Sequence, residues 1–124
     1  PESTMAALCD ASSKKLAVGT TSLRAMEDCM RKRTNISANA KNSADAKTSY
    51  CDSASLFIYP PQRIISADAM ITNFHLPRST LMCLVATFLT PDSSEGIRLL
   101  KEFYETAVKL DYNFYSYGDA MLIL

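Results

Sequence analysis

The sequence of 124 residues has one histidine and three glycines, no surplus of either charge, no C-x-x-C pair and no long apolar run. Each shortage excludes something. Thirteen basic residues against thirteen acidic ones leave no net charge, so no global field draws the chain to nucleic acid, and such a role would have to rest on a local patch. Cys9, Cys29, Cys51 and Cys83 stand far apart, with His75 as their only imidazole companion. Neither a zinc site nor a thioredoxin-like motif is readable from that spacing, and buried, reduced thiols are expected. No apolar stretch reaches the roughly 18 residues that a bilayer-spanning helix needs, and no secretory leader opens the chain, so a cytoplasmic location is expected. An apolar fraction of 48% in 124 residues suits a single domain over 1–124 with one core.

What is present centres on residues 69–89. Ala69, Met70 and Ile71 end a buried strand, and a polar turn with the lone histidine follows. Pro77 keeps Leu76 out of the helical region, so a helix starts no earlier than Arg78, with Ser79 as its N-cap. From Thr80 to Leu89 that helix is apolar on nearly every side, which suits enclosure in a core. A strand end and a helix start thus meet at Thr72, Asn73, Phe74, His75, Arg78, Ser79 and Thr80, the place where open α/β sheets bind ligands.

Before this centre, residues 1–12 suggest a short helix, and Leu16 to Gly19 a buried strand. Thr20, Thr21 and Ser22 turn that strand into a helix reaching about Arg33, with Leu23, Met26 and Met30 on one face and Glu27 paired with Arg31 on another. Glycine, hydroxyls and a helix N-terminus can hold an anion or a ribose, although Thr and Ser are also ordinary capping residues. Residues 34–55 are polar and read as a mobile loop, locally basic around Lys41 and Lys47. A second buried strand is expected at Leu56 to Tyr59 and a third extended segment from Ile64 to Thr72. After the central helix, Asp92 and Glu95 look like a capping box for a helix over residues 94–110, with Ile97, Leu100, Tyr104, Ala107 and Val108 inward. A final strand runs from Ala120 to Leu124. Short apolar strands alternating with helices predict an α/β fold with three layers: a mostly parallel sheet with helices on both faces.

Four blocks carry a resemblance. Ile71-Thr72-Asn73-Phe74-His75-Leu76-Pro77-Arg78-Ser79-Thr80-Leu81 and Phe114-Tyr115-Ser116-Tyr117-Gly118-Asp119-Ala120-Met121 resemble the C-terminal signature of the S-adenosylmethionine:tRNA ribosyltransferase-isomerases of queuosine biosynthesis. Val18-Gly19-Thr20-Thr21-Ser22-Leu23-Arg24 and Leu56-Phe57-Ile58-Tyr59-Pro60 agree in order and approximate spacing. The chain corresponds to roughly the last third of a family member and departs from the pattern at Pro61, where the family usually has glycine.

The resemblance implies transfer of the ribosyl part of S-adenosylmethionine to 7-aminomethyl-7-deazaguanine in tRNA, giving epoxyqueuosine, with S-adenosylmethionine as substrate and no metal. It also implies tRNA as a partner, no membrane, and a separate chain that could supply the missing N-terminal portion. The reaction needs proton transfers in a site that excludes water. His75 is the one side chain suited to them near neutrality, against a structural hydrogen-bonding role. Asp119 is the second catalytic candidate, against a turn aspartate beside Gly118. Substrate-binding candidates are Thr20, Thr21, Ser22, Arg24, Asn73, Phe74, Arg78, Ser79, Thr80, Tyr117 and Gly118. Arg78 could hold a carboxylate or a phosphate, and Phe74, Tyr115 and Tyr117 could stack on a purine or simply pack. A noncatalytic adenosine- or tRNA-binding module, or a truncated remnant, are the competing readings.

Overall fold

The strand Ala69–Asn73 (β2) alternates partly and fully buried side chains, as its apolar and β-branched residues dictate for a strand between two others. The computed structural model describes residues 2–39 and 54–124. In order, these form α1 (Glu2–Cys9), β1 (Leu16–Val18), α2 (Thr20–Asn39), β2, α3 (Thr80–Leu89), α4 (Gly96–Lys109) and β3 (Ala120–Ile123). The sheet has the order β1-β2-β3. β1 runs parallel to β2 with Ala17 opposite Met70. β3 runs antiparallel to it with Met70 opposite Ile123 and Asn73 opposite Ala120. The fold is therefore α/β, but the sheet is mixed rather than mostly parallel.

Register sorts the side chains onto two faces. Ala17, Met70, Thr72 and Ile123 share one face and are all buried. Against them pack Leu23 of α2, Leu84 and Val85 of α3, and Leu100, Tyr104 and Ala107 of α4. The other face carries Leu16, Val18 and Leu122, which remain 50%, 63% and 57% exposed. Among the described residues the helices cover one face only, which corrects the expectation of helices on both.

α3 and α4 touch closely because Gly96 has no side chain: a Cβ there would lie 2.0 Å from the Ala86 carbonyl oxygen. That contact turns α4 so that Leu100, Tyr104 and Ala107 face inward, while Ile97 and Val108, expected inside, stay exposed. The capping box is absent too. α4 begins at Gly96, the Glu95 N–H donates to the Ser93 hydroxyl at 3.2 Å, and the Glu95 carboxylate pairs with Arg98.

Other expectations are corrected in detail. α2 continues to Asn39, so the polar stretch expected to begin at Thr34 opens as helix, and residues 40–53, with Cys51, lie outside the described residues. Residues 56–59 form no strand: the run is anchored by the buried Ile58 and followed by Pro60 and Pro61, which have no N–H to donate to a ladder. Cys9 is exposed, and Cys29 and Cys83 are only partly covered.

The connection into β2 is held by a buried carboxylate. Glu27 is fully buried in α2 and accepts the N–H groups of Ile65 and Ser66, both at 3.0 Å, together with Arg31 Nε at 2.7 Å. Arg31 Nη2 donates in turn to the Arg63 carbonyl at 2.9 Å. The expected Glu27–Arg31 pair exists, and its carboxylate is buried. Lys15 N–H donates to the Asp68 carboxylate at 2.9 Å, and the Lys15 carbonyl accepts from Asp68 and Ala69, which starts the β1–β2 register.

Candidate functional site

β1 and β2 are parallel and β3 is antiparallel to them, so the ends of β1 and β2 and the start of β3 lie along one edge of the sheet. That edge gathers three of the four sequence blocks. Two inter-strand spacings, about 10 Å, separate its outer strands.

At the end of β1, the Gly19 N–H donates to the Ile71 carbonyl at 2.8 Å, and the glycine takes φ of +87°. A Cβ at Gly19 would meet nothing within 4 Å, so the backbone angle and not space calls for glycine. α2 begins at once with Thr20. Thr20, Thr21 and Ser22 therefore form the first turn of α2 instead of preceding it, and their hydroxyls make no capping bond among the described residues. Thr20 is buried, Thr21 and Ser22 are exposed, and Arg24 is half-buried. Unpaired N–H groups of this first turn face the same edge.

At the end of β2 the chain is held by its own polar groups. Asn73 Nδ2 donates to the carbonyls of Gly118 at 3.1 Å and Asp119 at 3.3 Å. The Phe74 carbonyl accepts from the Tyr115 N–H at 3.1 Å. The Phe74 ring is buried and packs on Tyr104, Tyr112 and Phe114 with centroids 5.3, 5.8 and 5.0 Å away. It is committed to the core, whereas Tyr115 and Tyr117 are exposed.

His75 is fixed twice. Its N–H donates to Tyr104 Oη at 2.8 Å, and its Nε2 lies 2.8 Å from Thr72 Oγ1. Burial pulls the imidazole below its ordinary pKa, so the ring is neutral near pH 7. Burial pushes the Tyr104 phenol up, opposed by the bond from the His75 N–H. The chain then turns through Arg78, which is exposed and left-handed with φ of +63°. Ser79 is the N-cap of α3 by position, yet its hydroxyl makes no capping bond; Ser79 Oγ is buried without a partner. Thr80 opens the helix and is exposed.

The start of β3 is a tight turn. Asp119 Oδ2 accepts the Asn113 N–H at 2.8 Å and Asn113 Nδ2 at 3.4 Å, and the Asp119 N–H donates to the Asn113 carbonyl at 2.8 Å. A Cβ on Gly118 would sit 2.4 Å from the Asn113 carbonyl oxygen, so no side chain fits. Asp119 thus bonds the backbone beside Gly118 through one oxygen, while Oδ1 has no partner among the described residues.

Direct bonds join the segments 72–75 and 113–119; Thr20, Thr21 and Ser22 reach the same edge through the Gly19–Ile71 pairing and make no side-chain bond to the others. Two supports were not singled out from sequence as site residues, Tyr104 as the acceptor for the His75 N–H and Asn113 as the holder of Asp119, and Thr72, placed at the strand end, was not read as the partner of His75. A threonine three residues before the only histidine was the one available hint. Among the described residues, a concavity of about 550 Å³ lies at the opposite edge beside Lys15 and Asp68, and one of about 490 Å³ lies between α4 and β3, with Phe74 in its lining. Among the described residues no three His, Cys, Asp or Glu side chains are grouped to hold a metal ion, and no helix is long and apolar enough to cross a membrane.

Comparison with known proteins gives a consistent picture. A family model described as a queuosine biosynthesis protein matches residues 1–123. The S-adenosylmethionine:tRNA ribosyltransferase-isomerase of Flavobacterium psychrophilum is 45% identical over 112 residues, covering 90% of this chain and 27% of the relative. The protein of the same description from Aliarcobacter butzleri is 44% identical over 115 residues, covering 93% and 28%. A crystal structure of the S-adenosylmethionine tRNA ribosyltransferase from Thermotoga maritima superposes with a TM-score of 0.75 at 38% identity, covering 100% of this chain and 39% of that one. The chain thus spans about a quarter of the length of the curated relatives it matches.

Proposed function

The chain belongs to the queuosine biosynthesis protein family, and from that premise we propose that it supplies the C-terminal part of an S-adenosylmethionine:tRNA ribosyltransferase-isomerase. The reaction is transfer of the ribosyl group of S-adenosylmethionine to 7-aminomethyl-7-deazaguanine in tRNA, giving epoxyqueuosine, with S-adenosylmethionine consumed as substrate and no metal used. The remaining portion comes from the same polypeptide or from a separate chain. A soluble, cytoplasmic enzyme acting on tRNA fits this chemistry.

The observation that carries the reading is the pair of bonds from Asn73 Nδ2 to Gly118 and Asp119, which ties the two most specific blocks into one edge. In this reading the first turn of α2, with Thr20, Thr21, Ser22 and Arg24, receives ribose hydroxyls or the methionine carboxylate. Arg78 pairs with a carboxylate or a tRNA phosphate, Thr80 offers its hydroxyl at the start of α3 beside the N-cap Ser79, and Tyr117 stacks on a base. Gly118 shapes the turn, Phe74 backs it, and His75 and Asp119 Oδ1 are the groups available for proton handling. The expected layered sheet is completed in the whole enzyme, where sequence beyond the matched quarter lies on Leu16, Val18 and Leu122.

The test is a chimaera in which this chain replaces the matching segment of the Flavobacterium psychrophilum relative, assayed for epoxyqueuosine in tRNA. Turnover that falls on the order of a hundredfold in His75→Ala and Arg78→Ala at unchanged thermal stability is expected. A folded chimaera without turnover, or full turnover in both variants, would overturn the reading. A noncatalytic module is the outcome in which S-adenosylmethionine binds the chimaera and no product forms.

A further inference from the structure

Thr72 occupies a place where packing alone would favour valine. It is buried at 3% exposure on the covered face of β2, next in that row to Met70. A buried hydroxyl is costly unless it is bonded. Its one short contact is His75 Nε2 at 2.8 Å; the alternative acceptor, the Asn73 carbonyl, lies 3.4 Å away, near the limit of a useful bond. The hydroxyl has a single proton, and the shorter contact is the better place for it. Turning the ring over about Cβ–Cγ would bring Cε1, and not the other nitrogen, to Thr72 Oγ1 and would break the 2.8 Å contact of the buried hydroxyl.

We propose that Thr72 is a positioning residue that holds His75 as the Nδ1–H tautomer, with Oγ1–H donating to Nε2 and Nδ1–H turned toward the open edge of the sheet. The lone pair of Nε2 is then occupied in the resting state, and His75 takes up a proton only when the Thr72 bond is broken. His75 meets a ligand as a hydrogen-bond donor, suited to an acceptor such as a ribose oxygen or a purine ring nitrogen. Its part in ribosyl transfer rests on the function proposed above; the tautomer does not. The neutral ring favoured by burial agrees with this assignment.

His75 is the only histidine, so its ring nitrogens can be read without ambiguity in the 15N-labelled 124-residue chain. Long-range 1H–15N correlation at neutral pH is expected to show a protonated Nδ1 and an unprotonated, hydrogen-bonded Nε2. Thr72→Val, close in volume and without the hydroxyl, should invert the ratio toward Nε2–H, the form a free histidine side chain prefers, and Thr72→Ser should restore it. A wild-type ring already protonated at Nε2, or a Val variant with an unchanged ratio, overturns the assignment. If the Val variant fails to fold, the wild-type and Ser spectra still decide it. These spectra need no turnover, so failure here and failure of the chimaera are told apart.

Discussion

Asn73 and Gly118 are 45 residues apart in sequence, and the side-chain amide of the first donates to the carbonyl of the second at 3.1 Å. The bond brings the end of the central strand to the turn before the last one, where Gly118 is too tightly enclosed for any side chain. Gly19, across β2, is the opposite case: it has open space but a left-handed φ of +87°.

The two glycines therefore predict different penalties for the same substitution. Gly118→Ala drives a methyl into the Asn113 carbonyl oxygen and should cost about 2–3 kcal/mol, with the Asn113–Asp119 bonds lost. Gly19→Ala meets no atom and pays for its backbone angle alone, about 1–2 kcal/mol. Urea unfolding of both variants measures the difference, and equal costs would show that steric exclusion at Gly118 had been relieved by movement of the turn.

Glu27 predicts a larger loss. Its buried carboxylate serves two backbone N–H groups and Arg31, so Glu27→Ala leaves three donors unmatched and should cost about 3–5 kcal/mol. Hydrogen exchange at Ile65 and Ser66 should accelerate more than at amides of α4. Slow exchange retained at both positions would mean that water replaces the carboxylate at little cost.

Much of this arrangement could be read in the sequence, and the failures have physical causes. α3 was placed at Thr80–Leu89 as observed, because Pro77 and an unbroken apolar run fix it. The meeting of strand end and helix start at residues 72–80 follows from the same proline, whereas the bonds from Asn73 to the turn before β3 join segments 45 residues apart and leave no local mark in the sequence. The Glu27–Arg31 pair is present as expected, but its i, i+4 spacing says nothing about burial, so the bonds of Glu27 to Ile65 and Ser66 could not be read. Residues 56–59 looked like a strand because a short apolar run reads alike whether it pairs or merely anchors a loop. Leu100, Tyr104 and Ala107 lie inward as expected, whereas Ile97 and Val108 do not, because the contact of Gly96 with Ala86 sets the rotation of α4, and that contact joins two helices. The bare sheet face could not be read at all, since apolar strands look the same covered or open.

That face makes a prediction of its own. Leu16, Val18 and Leu122 are at least half exposed, so the isolated chain should bind a hydrophobic dye strongly. Val18→Thr with Leu122→Thr keeps strand-forming side chains and should change stability by less than about 1 kcal/mol while dye fluorescence falls. The chimaera should bind less dye than the isolated chain, and equal binding would show that added sequence leaves the face open.

His75 gives the pH dependence. Burial holds its folded-state pKa below the ordinary value of 6.5, so between the two values the unfolded chain binds more protons than the folded one. Stability therefore rises with pH across that window and is fully present above about 6.5; it is lost as pH falls through the folded-state value. Tyr104, pushed up by burial, stays protonated throughout and adds nothing to the slope. Unfolding free energies of the wild type and of His75→Gln, compared from about pH 8 to about pH 5, isolate the contribution, because carboxylate effects common to both chains cancel. The gap between the two proteins should move against the wild type on acidification. A gap that stays constant, or moves in the wild type's favour, would mean that the imidazole is as free to charge in the folded chain as in the unfolded one.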